Sequence, residues 1–108
     1  MIRRLQKHAD EGNVEAQTIL GNFYLHGQQG PEKDPERAVP WYELAAAQGD
    51  AGAQCTLAYC YESGTGVNID LEASARWYRR AADRGLPDAQ FNLGTILYHG
   101  KGVAQSNE

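Results

Sequence analysis

With 108 residues and a net charge of −4, the chain has room for one domain and lacks the basic excess that a duplex nucleic-acid binder carries on one face. No apolar run approaches the ~18 residues of a membrane span, and Met1-Ile2-Arg3-Arg4 has no apolar segment behind it, so this stretch is not read as a signal peptide, which favours the cytoplasm slightly and leaves the compartment open. The densest basic group, Arg76, Arg79, Arg80 and Arg84, shares its segment with Asp70, Glu72 and Asp83 and reads as a solvated helix face.

In chain order, residues 2–11 read as a first helix ending at Gly12. The next spans 13–26. Asn13 is its N-cap, Ala16, Leu20, Phe23 and Tyr24 fall on one face, and Gly27 follows where a left-handed residue is wanted. Asp34-Pro35 then pairs an N-cap with a proline at the first helical position and opens a helix over 35–48, which stops at Gly49. Pro40 lies inside it. That proline cannot donate to the Glu36 carbonyl and costs about 3 kcal/mol in a regular helix interior, so this helix is expected to kink or to begin late.

Asp50 caps a helix over 50–63, in which Ala53, Leu57, Cys60 and Tyr61 repeat the earlier apolar face before Gly64. Cys55 and Cys60 stand five residues apart on it. At about 100° per residue they point to different faces, so both read as small buried hydrophobes, not as a disulfide. Asp70 opens 71–84, with Arg76 in the place of Pro40, and Gly85 ends it. Pro87 suits the first turn of a last helix over 86–99, whose face carries Ala89, Leu93, Ile96 and Leu97 ahead of Gly100. No strands are expected.

These helices repeat. Ala16-Gln17-Thr18-Ile19-Leu20-Gly21 returns as Ala53-Gln54-Cys55-Thr56-Leu57-Ala58 and as Ala89-Gln90-Phe91-Asn92-Leu93-Gly94, at offsets of 37 and 36 residues. Trp41-Tyr42, Ala45-Ala46 and Gly49 return 36 residues later as Trp77-Tyr78, Ala81-Ala82 and Gly85. Such a period marks a solenoid of helix pairs, each able to bury its flank only against the next. The helices over 13–26, 50–63 and 86–99 are the A helices of these pairs; those over 35–48 and 71–84 are the B helices. Gly21, Ala58 and Gly94 allow close backbone approach.

The pattern resembles the Sel-1-like repeat family, a relative of the tetratricopeptide repeats. The second unit carries it on Ala53, Leu57, Ala58, Tyr61, Gly64, Gly66, Val67, Asp70, Trp77, Tyr78, Ala81, Ala82 and Gly85, with Ala58 and Ser74 where the family has Gly and Ala. The first unit carries it on Ala16, Leu20, Gly21, Tyr24, Gly27, Asp34, Ala38, Trp41, Tyr42, Ala45, Ala46 and Gly49, but its loop over 28–33 is longer and lacks the G-x-G-V form. The third breaks off after Gly102-Val103. The resemblance implies an all-α, right-handed α/α superhelix of about two and a half repeats that acts as an adaptor or scaffold. The expected division is one domain over 1–108: a preceding helix or cap over 1–11, repeats over 12–48 and 49–84, and a truncated repeat over 85–108.

Catalytic signatures are missing from the sequence. Gly64-Thr65-Gly66-Val67 and Gly100-Lys101-Gly102-Val103 follow helices and lack phosphate-loop spacing. His26 and His99 occupy equivalent places two repeats apart, on the order of 20 Å from each other, which is too far to share a metal. No H-x-x-x-H or C-x-x-C occurs, and the serines lack a nucleophile-elbow context. Neither an enzyme nor a cofactor or metal is expected.

In tetratricopeptide-like solenoids the A helices line the concave face. The A-helix positions not used for packing define a stripe: Glu15, Ile19, Asn22 and His26; Gly52, Thr56, Tyr59 and Ser63; Asp88, Asn92, Thr95 and His99. Its mixture of amide, hydroxyl, imidazole and aromatic groups suits a protein or peptide partner. The alternative is a fragment of a longer array that mainly self-associates. The chain stops where a third B helix is due, so Leu93, Ile96 and Leu97 are expected to leave an apolar flank uncovered and able to self-associate.

Overall fold

A computed structural model describes residues 2–27 and 33–99. Among these residues there are six α-helices and no strands: α1 (Ile2–Asp10), α2 (Val14–His26), α3 (Pro35–Ala47), α4 (Ala51–Ser63), α5 (Leu71–Asp83) and α6 (Pro87–His99). The capping residues set the boundaries. The side chains of Asn13, Asp50 and Asp70 accept hydrogen bonds from the backbone N–H groups of Ala16, Ala53 and Ala73 at 2.8, 2.8 and 3.0 Å, satisfying donors that the first helical turn leaves orphaned. Gly27 and Gly64 end α2 and α4 in the left-handed region, at φ of 70° and 77°. Gly100 lies outside the described residues.

The helices pack chiefly on their sequence neighbours, giving an elongated body of 53 × 25 × 18 Å. Three apolar clusters run along it. Ala9, Ala16 and Leu20 join α1 to α2. Leu25, Val39, Tyr42, Leu57 and Cys60 join α2, α3 and α4. Ala58, Tyr78, Ala81, Leu93 and Ile96 join α4, α5 and α6. The repeated glutamine ties each A helix to the B-type helix before it. Gln17, Gln54 and Gln90 donate to the carbonyls of Ala9, Ala46 and Ala82 at 3.1, 3.1 and 3.2 Å. Close approach explains two small residues. A Cβ on Gly21 would stand 3.0 Å from the Tyr42 ring, and one on Gly66, at φ +77°, would collide with the Pro35 carbonyl oxygen.

Three expectations meet the structure here. The first B helix does not begin late: Asp34 caps α3, Pro35 is its first residue, and the helix passes through Pro40 to Ala47, as long as α5. Pro40 is exposed in the second turn, so its ring points to solvent and the carbonyl it deprives belongs to the first turn. The C-terminal flank is only partly as expected. Leu93 and Ile96 are buried against α5, while Leu97 is 38% exposed and Phe91 74%. The first two face the preceding B helix, and the other two lie on the exposed part of α6. The cysteines are free and belong to different clusters, Cys60 buried and Cys55 half-buried.

Candidate interaction surface

The A-helix stripe divides into residues open to solvent and residues already engaged. On α2, Glu15, Ile19 and His26 are exposed, whereas Asn22 is half-buried and its side-chain oxygen accepts the Tyr42 hydroxyl hydrogen. On α4, Gly52 and Tyr59 are exposed and Thr56 is half-buried. Ser63 is exposed, but its hydroxyl is spent locally on the Tyr59 carbonyl at 2.8 Å and lies 2.7 Å from Thr65 Oγ1. On α6, Asp88 is exposed, Asn92 and Thr95 are half-buried, and Thr95 Oγ1 donates back to the Phe91 carbonyl at 3.1 Å. The side chain of His99 lies outside the described residues.

The two tyrosines of the repeated Trp-Tyr block reach this surface from the B helices. Tyr42 and Tyr78 are fully buried. The Tyr42 hydroxyl ends at Asn22 of α2. The Tyr78 hydroxyl donates to Glu62 of α4 at 3.0 Å and also meets Asn92 of α6, so one side chain pins two successive A helices. Burial, first of all, pushes both phenols far above the ordinary tyrosine range; Cys60 adds to the rise at Tyr42 and the Glu62 carboxylate to that at Tyr78. Burial likewise raises the Cys60 thiol to about 11. All three groups stay protonated at neutral pH, and the two phenols serve as hydrogen-bonding pins. The available signal was the repeated Trp-Tyr block: a buried tyrosine needs a hydroxyl partner, which only the facing helices can supply.

Two clefts among the described residues bear on the surface. One, of about 580 Å³, lies between the N-terminus of α3 and the 64–68 loop. The other, of about 250 Å³, lies between α1 and α2 and is lined by Leu5, His8, Asn13, Glu15, Ala16 and Ile19; it holds two residues of the stripe. Among the described residues no group of three His, Cys, Asp or Glu could hold a metal, and no helix is long and apolar enough to cross a membrane.

Comparison with known proteins accounts for this architecture. The family model "Sel1 repeat" matches residues 14–50, 51–86 and 87–108. A Sel1 repeat protein from Oxalobacter formigenes superimposes with a TM-score of 0.84 at 36% identity, covering 89% of this chain and 39% of that one. The antigen c5321 of uropathogenic Escherichia coli, which displays the same repeat fold, gives 0.89 at 34% identity, covering 94% of this chain and 22% of that one. Rat DAP3-binding cell death enhancer 1 is 37% identical over 70 residues, 65% of this chain and 13% of that protein. The chain thus spans a minor part of each of these three proteins. Repeats of this kind generally serve as protein-interaction scaffolds. With three repeat matches covering nearly all of its length, the chain belongs to the Sel1 repeat family.

Proposed function

We propose that this chain is a non-catalytic scaffold that binds a protein or peptide partner along the exposed part of the A-helix stripe. Residues 1–108 form one domain on this reading, with 1–11 as a cap ahead of repeats 12–48, 49–84 and 85–108. The observation that carries it is the state of Ile19 and Tyr59. They stand on helices whose other faces are buried, yet they are 41% and 52% exposed, with Glu15, His26, Gly52 and Asp88 also open along the same stripe. Large side chains kept in solvent beside a rigid face are the usual anchors of an interface. Affinity capture with the chain and with Tyr59→Ala, followed by calorimetry on the captured partner, tests it. Tyr59→Ala is expected to keep the melting temperature and weaken binding about tenfold or more; unchanged affinity overturns the reading.

A second reading is self-association through α6, favoured by the exposure of Phe91 and Leu97. Covering such side chains is worth about 1.5–3 kcal/mol each. Light scattering over a dilution series tests it, and a monomer at every concentration removes it.

A further inference from the structure

We infer that the outer face of α5 is a docking surface for an acidic segment of a partner protein, lying extended along the helix with a carboxylate at every second residue. This face belongs to a B helix and does not depend on the A-helix stripe. Arg76, Arg79, Arg80 and Arg84 are all exposed on it. Glu72 stands four residues before Arg76, and Asp83 four after Arg79, spacings at which ion pairs form along a helix. The structure does not pair them: among the described residues the one ion pair joins His8 to Glu11. Arg80 lies instead over the Trp77 ring, 4.8 Å from its centroid. The ring takes the flat face of the guanidinium and leaves the N–H groups at its edge for a ligand.

Repeat register keeps this face open whatever follows α6. Pro40, Glu43, Leu44 and Gln48 hold the matching places on α3, and all are exposed although α5, the next B helix, is present. A succeeding B helix therefore does not cover these positions. Spacing selects the conformation of the ligand. Arg76, Arg80 and Arg84 follow one another at four-residue intervals, about 6 Å apart along the helix. Alternate residues of an extended chain are about 6.6 Å apart and point to the same side. Carboxylates at every second residue thus meet the three guanidiniums in turn, with Arg79 beside the first two. The surroundings favour a protein segment over nucleic acid. The row is only about 12 Å long. Asp70 and Glu72 are exposed at its start, and Glu36 and Glu43 are exposed on α3. A phosphate backbone running past the row would meet these carboxylates, whereas a short acidic segment ends within it.

The test is a ¹⁵N–¹H NMR titration of the whole chain at low salt with two peptides of equal composition, acetyl-Glu-Ser-Glu-Ser-Glu amide and acetyl-Glu-Glu-Glu-Ser-Ser amide. The alternating peptide is expected to give saturable shifts at the Trp77 indole and the α5 arginine side chains, with affinity on the order of 1 mM. The blocked peptide should bind at least about threefold more weakly, because its carboxylates fall out of register. Arg76→Gln with Arg80→Gln is expected to weaken the alternating peptide about tenfold. Arg3→Gln with Arg4→Gln removes the same charge from α1 and should change the affinity less than about twofold. Equal binding of the two peptides, or equal loss in the two double variants, would show attraction by net charge alone and overturn the inference. Tighter binding of a thymidine tetranucleotide, which carries the same three charges, would assign the face to nucleic acid and overturn it as well. Tyr59→Ala is expected to leave the titration unchanged; loss of binding there would move the peptide to the A-helix stripe. Should Tyr59→Ala instead keep a captured partner at full affinity while the α5 titration stands, the stripe reading fails and this one does not.

Discussion

Gly21 and Gly94 occupy the same repeat position, yet alanine there should have opposite effects. A mid-helix glycine costs roughly 1 kcal/mol relative to alanine, so in open space the replacement stabilises by about that amount. At Gly94 nothing among the described residues lies within 4 Å of the Cβ it lacks. At Gly21 the new methyl would stand 3.0, 3.1 and 3.2 Å from three atoms of the Tyr42 ring. That ring is fully buried and held by its bond to Asn22, so it cannot withdraw without straining the bond. The second repeat shows the adjustment required. There Ala58 supplies the methyl, and the Tyr78 hydroxyl goes to Glu62, four residues further along α4. Overpacking a tight site costs about 1–3 kcal/mol, which exceeds the propensity gain. Gly21→Ala is therefore expected to lose about 1 kcal/mol and Gly94→Ala to gain about 0.5–1 kcal/mol. In thermal melts followed by circular dichroism the shifts should be roughly 4–8 °C downward and a few degrees upward. Equal stabilisation by both would refute the claim that Tyr42 is locked against α2.

Two further outcomes follow from the same geometry. Cys60, Tyr42 and Tyr78 have folded-state pKa values raised above the unfolded ones; their contribution to stability is present below the unfolded values and is lost as pH rises. For Cys60 the loss falls between 9.0 and about 11, so the melting temperature should decline over that range, and the ultraviolet titration of phenolate should show Tyr42 and Tyr78 ionising only as the chain unfolds. Pro40→Arg, which copies Arg76, restores a donor to the Glu36 carbonyl and is expected to raise stability by about 1 kcal/mol, less than the full interior penalty because the site is exposed; an unchanged melting temperature would show that the proline costs nothing there.

The helices from α2 to α5 were legible because their boundaries are written in capping chemistry. Asn13, Asp34, Asp50 and Asp70 precede the A and B helices, and the glycines that follow adopt positive φ. The apolar face was legible for the same periodic reason: Ala53, Leu57 and Cys60 are all fully buried. The surface was less so. Treating unused A-helix positions as free selected Ile19 and Tyr59, which are exposed, but also Asn22 and Asn92, which the buried tyrosines meet. Spacing along one helix says nothing about a side chain arriving from the next. It also placed Leu93 and Ile96 on the open flank, because a helix between two neighbours has two buried faces and the one toward α5 is covered.

Repeat position also sets which polar groups find partners, and here the two full repeats differ. In the first, the Gln48 side chain donates to Gln17 Oε1 at 2.9 Å and to the Gly12 carbonyl at 3.2 Å, closing the end of α3 over α2. In the second, Arg84 stands in the place of Gln48. Its guanidinium lies near Gly49, the counterpart of Gly12, but among the described residues no group donates to Gln54 Oε1, although Gln54 is buried. An unsatisfied buried acceptor costs about 1–3 kcal/mol. Arg84→Gln should restore the first repeat's arrangement, with the shorter amide reaching inward where the charged guanidinium is better left in water. The expected gain is about 1 kcal/mol in chemical denaturation. Gln54→Leu removes the acceptor, so in that background Arg84→Gln should change nothing, and the coupling between the two sites measures the new bond. If Arg84→Gln is neutral in the unmodified chain, the arginine already supplies the donor in solution and the two repeats close in the same way.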